Sequence, residues 1–243
     1  MSIYPVCFVL TFVLQLAFVP LFLKYSWPEK CWKSFRLKMV CASLFLLAAV
    51  FAMKLSGNYG EFAKTMLLGL IFGWFGDLFL HVITKNVIYF AIGLVSFLVG
   101  HVFYVLAFIK VQAHFMPDAP AISVAEIICV ILMFAGYAAY AIVTKMKFGI
   151  ALVPVILYAF TIAFMLFKGL TLCTRLALLG NEMTSWAIAT IGIGAILFVL
   201  SDTTLALLLF GGKAKDRTMK IFNIGTYFAG QMLLASSILL FNI

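Results

Sequence analysis

The chain has 243 residues, of which 66% are hydrophobic and only 10% are charged. Because charged residues make up about a quarter of an ordinary soluble domain, this composition excludes a water-soluble fold for most of the chain. A net charge of +9 would suggest a nucleic-acid partner in a soluble protein. Here the basic residues fall between apolar segments, so no nucleic-acid partner is predicted.

Apolar segments long enough to cross a bilayer recur along the whole chain. A spanning helix needs about 20 mostly apolar residues, because inside lipid every backbone amide must find its partner within the helix. We predict eight such helices, at Ile3–Leu23, Phe35–Met53, Thr65–Thr84, Asn86–Ile109, Ile122–Val143, Phe148–Phe167, Trp186–Phe210 and Ile221–Asn242. The sequence therefore predicts an all-α, polytopic transmembrane bundle that forms a single integral membrane domain over residues 1–243.

The distribution of basic residues among the loops predicts an orientation. Most of them lie in or beside the first, third, fifth and seventh loops: Lys24, Lys30, Lys33, Arg36, Lys38, Lys85, Lys145, Lys147, Lys213, Lys215, Arg217 and Lys220. The even loops hold Lys54, Lys64, Lys110, Lys168 and Arg175. By the positive-inside rule, the odd loops are predicted to be cytoplasmic and both termini to lie on the other side. Whether the membrane is a bacterial inner membrane or the endoplasmic reticulum is left open, as is the oligomeric state.

Two acidic residues, Asp77 and Asp202, fall deep within predicted helices. A charge at the centre of a spanning helix costs at least about 2.5 kcal/mol, so each needs a function or a partner. Counting back along the helix from Lys85 and Lys213 puts both carboxyl groups at a similar depth in the cytoplasmic half. We therefore expect them to meet inside the bundle; the competing interpretation is that each only bonds neighbouring helices together. A third acid, Glu126, lies about one turn from a helix start and is expected to reach the interface.

The surroundings of Asp77 support close packing. Gly69 and Gly73 form a G-x-x-x-G arrangement and Gly76 follows, which is typical of helices whose backbones approach closely. His81 lies four residues after Asp77, on the same helix face, and is predicted to be able to hydrogen-bond to it.

A faint internal repetition relates the segments that contain the two acids. Aligning Asp77 with Asp202 also places Gly69 on Gly194, and further along Gly100-His101 resembles Gly230-Gln231. If this is a duplication, its halves share an orientation, and equivalent helices would gather around a central site. Small residues also recur by chance in apolar helices.

Five short motifs occur in order along the chain. They are Gly76-Asp77-x-x-Leu80, Gly100-His101-x-x-Tyr104, Tyr158 with Met165 seven residues on, Gly194-Ala195-x-Leu197-Phe198-x-x-Ser201-Asp202-x-x-Leu205-Ala206, and Tyr227-x-x-Gly230-Gln231. Together they resemble the YhhN-like lysoplasmalogenase family of integral membrane proteins. The resemblance covers the third to eighth predicted helices, and the first two carry no matching motif.

The resemblance implies an eight-helix membrane hydrolase that cleaves the vinyl ether bond of lysoplasmalogens. The products would be a fatty aldehyde and glycerophosphoethanolamine or glycerophosphocholine, and the functional acids would map onto Asp77 and Asp202. The expected partners are a lysophospholipid substrate and the surrounding membrane lipid. No metal and no other cofactor is predicted.

Two buried carboxyl groups suit this chemistry. A vinyl ether is hydrolysed when an acid protonates its β carbon, which creates an oxocarbenium ion that water then attacks. Two carboxyl groups in a low-dielectric site cannot both ionise easily, so one can serve as the acid and the other as the stabilising anion. The sequence does not indicate which aspartate takes which role.

Further polar residues are candidates for the same site. Those predicted to orient water or to bind the glycerol hydroxyls are His81, His101, Tyr104, Tyr158, Ser201, Tyr227 and Gln231. Those predicted to meet the phosphate head group are Lys85, Lys213 and Lys215. An ordinary core hydrogen bond is the alternative explanation for the first set, and the positive-inside rule for the second.

Three other functions are compatible with the pattern. A zinc-dependent lipid hydrolase could use Asp77, His81, His101 and Asp202 as ligands, although zinc sites favour more histidines at fixed spacing. A proton-coupled transporter of lipids or small molecules would also use buried acids. A non-catalytic lipid-binding or scaffolding protein would leave the paired acids without a purpose.

Overall fold

The computed structural model describes residues 3–82 and 87–243, and within them the architecture is helical. The helices are α1 (Tyr4–Tyr25), α2 (Trp32–Ser56), α3 (Glu61–His81), α4 (Val87–Phe115), α5 (Val124–Val143), α6 (Leu152–Leu178), α7 (Thr184–Ala187), α8 (Ile193–Phe210) and α9 (Arg217–Ser236). A 3₁₀ turn at Gly149–Ala151 precedes α6, a π-helical turn at Ile188–Gly192 joins α7 to α8, and a 3₁₀ turn at Ser237–Leu239 follows α9. The predicted all-α class is confirmed.

Seven helical segments in the described part of the chain are long and apolar enough to cross a membrane, as in a multi-pass membrane protein. They are Tyr4–Tyr25, Trp32–Ser56, Glu61–His81, Val87–Phe115, Val124–Val143, Gly149–Leu178 and Thr184–Phe210. The eighth predicted span corresponds to α9, which has 20 residues but starts with Arg217 and Lys220 and is less apolar. An eighth crossing therefore stays a prediction. The predicted boundaries at Thr84 and Asn86 lie outside the described residues.

The structure corrects the predicted positions of Lys168 and Glu126. Lys168 was expected in a loop, but α6 continues to Leu178 and buries its side chain completely. Its ammonium lies 3.1 Å from the carboxylate of Glu126, which is itself buried instead of reaching the interface. Gln112 adds a hydrogen bond of 2.5 Å. A buried ion pair of this kind is tolerated because each charge has a partner and the remaining donors are satisfied.

Helices α3 and α4 pack with their backbones nearly in contact, as the glycine pattern predicts. A Cβ atom added at Gly100 would lie 2.9 Å from the carbonyl oxygen of Gly69, and one added at Gly76 would lie 2.4 Å from the ring of Phe97. Any larger residue would push the two helices apart.

Helices α8 and α9 cross in the same manner. A Cβ atom added at Gly230 would lie 3.0 Å from the carbonyl oxygen of Gly194. These are the two glycines that the internal repetition aligns with Gly100 and Gly69. The two hairpins therefore share the glycine pair at which their helices cross.

Several described segments meet at one end of the bundle, which we call the odd-loop end: the connections between α1 and α2, α5 and α6, and α8 and α9, and the C-terminal end of α3. Long-range hydrogen bonds hold them together. The Lys30 ammonium donates to the carbonyl oxygen of Leu80 at 2.6 Å, and the backbone amide of Lys147 donates to that of Phe210 at 3.0 Å. The C-terminal ends of α3 and α8 point toward this end, and the two aspartates lie in the C-terminal halves of these helices.

Candidate active site

A cavity of about 740 Å³ lies at the odd-loop end, and both Asp77 and Asp202 line it. We call it the aspartate cavity. Its polar lining comprises Glu29, Lys30, Lys38, Asp77, His81, Tyr158, Ser201, Asp202, Lys220, Asn223 and Tyr227. The apolar remainder comes mainly from α4 and α8. Helical rise alone placed the two acids at a similar depth, and the structure brings both into the same cavity.

Asp77 is buried and bonded through both carboxylate oxygens. Its Oδ1 lies 2.8 Å from the ammonium of Lys38, whose side chain is only 12% exposed. Its Oδ2 accepts a hydrogen bond of 2.7 Å from the hydroxyl of Tyr227. The Lys38 ammonium also lies 4.3 Å from the ring centroid of Tyr227 and 4.5 Å from that of Phe228. This cationic environment favours Asp77 as a carboxylate.

The hydrogen bonds continue from Tyr227 into the centre of the bundle. Gln231 donates from its amide to the Tyr227 hydroxyl at 3.3 Å and accepts from the hydroxyl of Tyr104 at 2.9 Å. Gly73 leaves room for this amide, since a Cβ atom there would lie 2.9 Å from it. Tyr227, Gln231 and Tyr104, all predicted site residues, therefore form a chain of hydrogen bonds between α9 and α4 that positions Asp77.

Asp202 has a different set of partners. The hydroxyl of Tyr158 donates to its Oδ2, and the same hydroxyl lies 3.1 Å from Nε2 of His101. Among the described residues, no basic side chain lies within 4.0 Å of the Asp202 carboxyl group. Asp202 is half-buried and faces the cavity without a neutralising cation.

His101 contacts the same hydroxyl group of Tyr158. When the hydroxyl proton of Tyr158 goes to Asp202, Nε2 of His101 can donate to the Tyr158 oxygen, and a neutral ring then carries no proton on Nδ1. Nδ1 is buried and has no hydrogen-bond partner among the described residues, which agrees with this tautomer. His101 therefore supports Tyr158 and does not itself line the cavity.

His81 and Ser201 line the cavity but bond elsewhere. Nε2 of His81 lies 3.3 Å from the hydroxyl of Ser34. The predicted bond to Asp77 is not formed among the described residues, where Asp77 bonds to Lys38 and Tyr227. Ser201 donates to the carbonyl oxygen of Asn223 at 3.0 Å, and the Asn223 amide returns a bond of 2.8 Å. The hydrogen bonds between Ser201 and Asn223 connect α8 to α9.

The basic residues at the cavity mouth are not those predicted. Lys30 and Lys220 line the cavity, whereas Lys213 and Lys215 are exposed outside its lining. Lys85 lies outside the described residues. Desolvation, together with repulsion from Lys38 and Lys220, lowers the pKa of Lys30. With Glu29 also in the lining, Lys30 and Lys220 place two ammonium groups beside one carboxylate at the mouth.

Lys38 is a candidate site residue that sequence reasoning missed. It lies within the predicted second span, but its charge was read as belonging to the adjacent loop. A lysine inside a spanning segment was itself the available signal. Among the described residues, no three His, Cys, Asp or Glu side chains converge as metal ligands. Asp77, His81 and Asp202 of the zinc alternative line one cavity but do not form a ligand set, and His101 lies outside the lining.

A second cavity of about 680 Å³ lies between α5, α6 and α8, and we call it the apolar cavity. Its lining is almost entirely hydrophobic. Tyr158 and Asp202 line both this cavity and the aspartate cavity. Asp202, the aspartate without a neutralising cation, therefore lies between the aspartate cavity and the apolar cavity.

The chain matches the model of a known protein family over most of its length. The model of the YhhN family matches residues 33–238. The match includes nearly all of α2, with Lys38, and so extends beyond the helices that carry the recognised motifs. No solved structure matches the chain.

Proposed function

The chain belongs to the YhhN family, and on that premise we propose that it is an intramembrane hydrolase that cleaves the vinyl ether bond of a lysoplasmalogen. The observation that carries the proposal is the unequal pair of acids in one cavity. Asp77 is neutralised by Lys38, and Asp202 is not. The proposed substrate is an alkenyl-glycerophosphoethanolamine or alkenyl-glycerophosphocholine.

Asp202 is the proposed acid. A carboxyl group that is shielded from water and has no cation paired with it is held most easily in its neutral form. The Tyr158 hydroxyl bonded to Oδ2 fixes the orientation of the group. Asp202 can then present its proton to the β carbon of a vinyl ether that lies beside it.

Asp77 is the proposed anion. The ion pair with Lys38 and the hydrogen bond from Tyr227 keep it ionised in a region from which water is largely excluded. A fixed negative charge at the cavity wall stabilises the oxocarbenium ion that protonation creates. The same carboxylate can accept a proton from the attacking water.

The steps balance without a cofactor. Asp202 transfers its proton to the β carbon, and the carbon attached to oxygen becomes positively charged. Water adds there and gives a proton to Asp77, which produces a hemiacetal. As the bond to the glycerol oxygen breaks, Asp77 gives that proton to the glycerol oxygen and the hemiacetal hydroxyl gives its proton to Asp202. A fatty aldehyde and a glycerophospho-alcohol are released, and both aspartates return to their starting states.

Lys30 and Lys220 are the proposed contacts for the phosphate. Each ammonium donates one hydrogen bond to a backbone carbonyl, of Leu80 and Ser26 respectively, which leaves further donors for an anion. The positive mouth of the aspartate cavity suits a phosphodiester head group. Lys213 and Lys215, which flank the lining residue Ala214, can contribute at longer range.

Aldehyde release tests the proposal directly. Purified protein in detergent is given alkenyl and ester lysophospholipids in parallel, with and without a chelator. We expect aldehyde only from the alkenyl lipid, unaffected by chelation. Asp202→Asn and Asp77→Asn should each lower kcat by about 10²–10⁴, the usual effect of removing an acid or base. Asp118→Asn, the same change in an exposed loop, should leave the rate unchanged.

The alternatives predict other outcomes. Loss of activity on chelation would select a zinc hydrolase. Proton or lipid flux in proteoliposomes without turnover would select a transporter. Full activity in Asp202→Asn would remove that residue from the role of acid and overturn the mechanism.

A further inference from the structure

We propose that the apolar cavity between α5, α6 and α8 binds the single hydrocarbon chain of the substrate, while the polar part of the lipid occupies the aspartate cavity. This inference rests on the proposed function, because it identifies where each part of a lysoplasmalogen lies. It adds a binding site on α5, a helix that carries no predicted site residue.

The position of the reacting bond within the substrate supports this assignment. In a vinyl ether lipid, the bond to be cleaved joins the hydrocarbon chain directly to the glycerol oxygen. The reacting carbons therefore lie at the boundary between the apolar and polar parts of the molecule. Tyr158 and Asp202 are the two residues that line both cavities, and so lie at the corresponding boundary in the protein.

The size and lining of the apolar cavity also fit a hydrocarbon chain. Its volume of about 680 Å³ falls within the range of roughly 300–1,000 Å³ typical of ligand pockets. Beyond the shared boundary, the hydroxyl groups of Tyr137 and Thr203 bond to each other at 2.8 Å. The other polar lining residues, Tyr140 and Lys145, lie toward the odd-loop end of the cavity. A ligand of hydrocarbon composition fits such walls, because a polar one would lose its bonds to water without compensation.

The apolar cavity can also be reached from the side of the bundle. Ile142, Leu152 and Ile156 line it and are also exposed on the outer surface of the bundle. In a membrane-spanning protein that surface faces lipid. A chain can therefore enter sideways between α5 and α6 without leaving an apolar environment.

Photo-crosslinking tests the inference without turnover. The probe is a 1-O-alkyl lysophospholipid with a diazirine in its chain; it lacks the double bond and cannot be hydrolysed by protonation. We expect adducts on peptides covering residues 134–162 and 199–206, with an excess of unlabelled alkyl lysophospholipid suppressing them. Adducts concentrated on α1, α4 and α9, or spread evenly over lipid-facing surfaces, would overturn the proposal.

A matched pair of variants sharpens the test. Ala138 lines the cavity and its neighbour Ala139 does not, and both are exposed on α5. Ala138→Phe should lower the labelling about tenfold, the effect of displacing roughly two methylene groups from an apolar site. Ala139→Phe should leave it unchanged, and equal effects of the two would contradict the assignment.

The two proposals can fail separately. Labelling at the expected peptides without aldehyde release from alkenyl lipid would overturn the hydrolase and keep the chain site. Aldehyde release with labelling elsewhere would keep the hydrolase and overturn the chain site.

Discussion

The hairpins α3–α4 and α8–α9 have the same framework but give their aspartates different environments. In each, a glycine pair marks the helix crossing, Gly69 with Gly100 and Gly194 with Gly230, and an aspartate follows the first glycine by eight residues. The repetition places both acids at one depth. The helices packed beside each hairpin then make them unequal, because α2 supplies a lysine to Asp77 and α6 supplies only a tyrosine to Asp202.

In the proposed mechanism, this difference assigns the role of acid and the role of anion to particular residues. Two equivalent acids in one cavity would compete for a single proton and exchange roles. A fixed cation next to one of them assigns the proton to the other. The asymmetry therefore comes from residues outside the repeated segments.

Removing Lys38 should abolish the difference between the environments of Asp77 and Asp202. We expect this change to lower the stability of the protein more than the other changes below. Lys38→Met leaves the Asp77 carboxylate buried without a cation, which costs about 3–5 kcal/mol of the free energy of unfolding. The double variant Lys38→Met/Asp77→Asn should recover most of the loss, because no unpaired charge remains. Unfolding by denaturing detergent, followed by circular dichroism, measures both values.

Arg36→Met provides the control for that experiment. Arg36 lies on the same helix but is exposed, so its loss should change the unfolding free energy by less than about 0.5 kcal/mol. If Lys38→Met were as mild as this control, the ion pair would not be what distinguishes the two aspartates.

The sequence allowed much of the fold to be predicted, because hydropathy and helix length depend on local composition. It also indicated that Asp77 and Asp202 lie at one level, since the rise of a helix is constant. It could not indicate the partners of each acid. Tyr158 and Tyr227 were both candidates, but which helix packs beside which is a property of the bundle and not of periodicity.

The helix boundaries also depend on neighbouring helices, which the sequence does not reveal. Hydropathy ended the sixth predicted span at Phe167, because Lys168 follows. In the structure Glu126, on the neighbouring helix α5, compensates that charge, so the helix continues. A lysine with an unseen partner cannot be distinguished from a lysine at the interface by composition alone, and Lys38 was misread for the same reason.

Changing Tyr227 tests the anionic character of Asp77, with an intermediate effect. Tyr227→Phe removes a hydrogen bond to a charged group and should cost about 1.5–3 kcal/mol of unfolding free energy. Tyr137→Phe removes the neutral bond to Thr203 and should cost about 0.5–1.5 kcal/mol. Equal losses in the same unfolding assay would indicate that Asp77 is not the charged member of the pair.

Changing the crossing glycines should have the smallest effect and tests whether the repetition extends to packing. Gly100→Ala and Gly230→Ala each place a Cβ atom about 3 Å from the carbonyl oxygen of the partner glycine, and backbone cannot yield as a side chain can. Both should lose about 1–3 kcal/mol of unfolding free energy, by similar amounts. Gly225→Ala meets nothing within 4 Å and should be neutral or gain up to about 1 kcal/mol from helix propensity. If only one crossing glycine proves sensitive, the two hairpins share their sequence pattern but not the close contact that holds both aspartates at one depth.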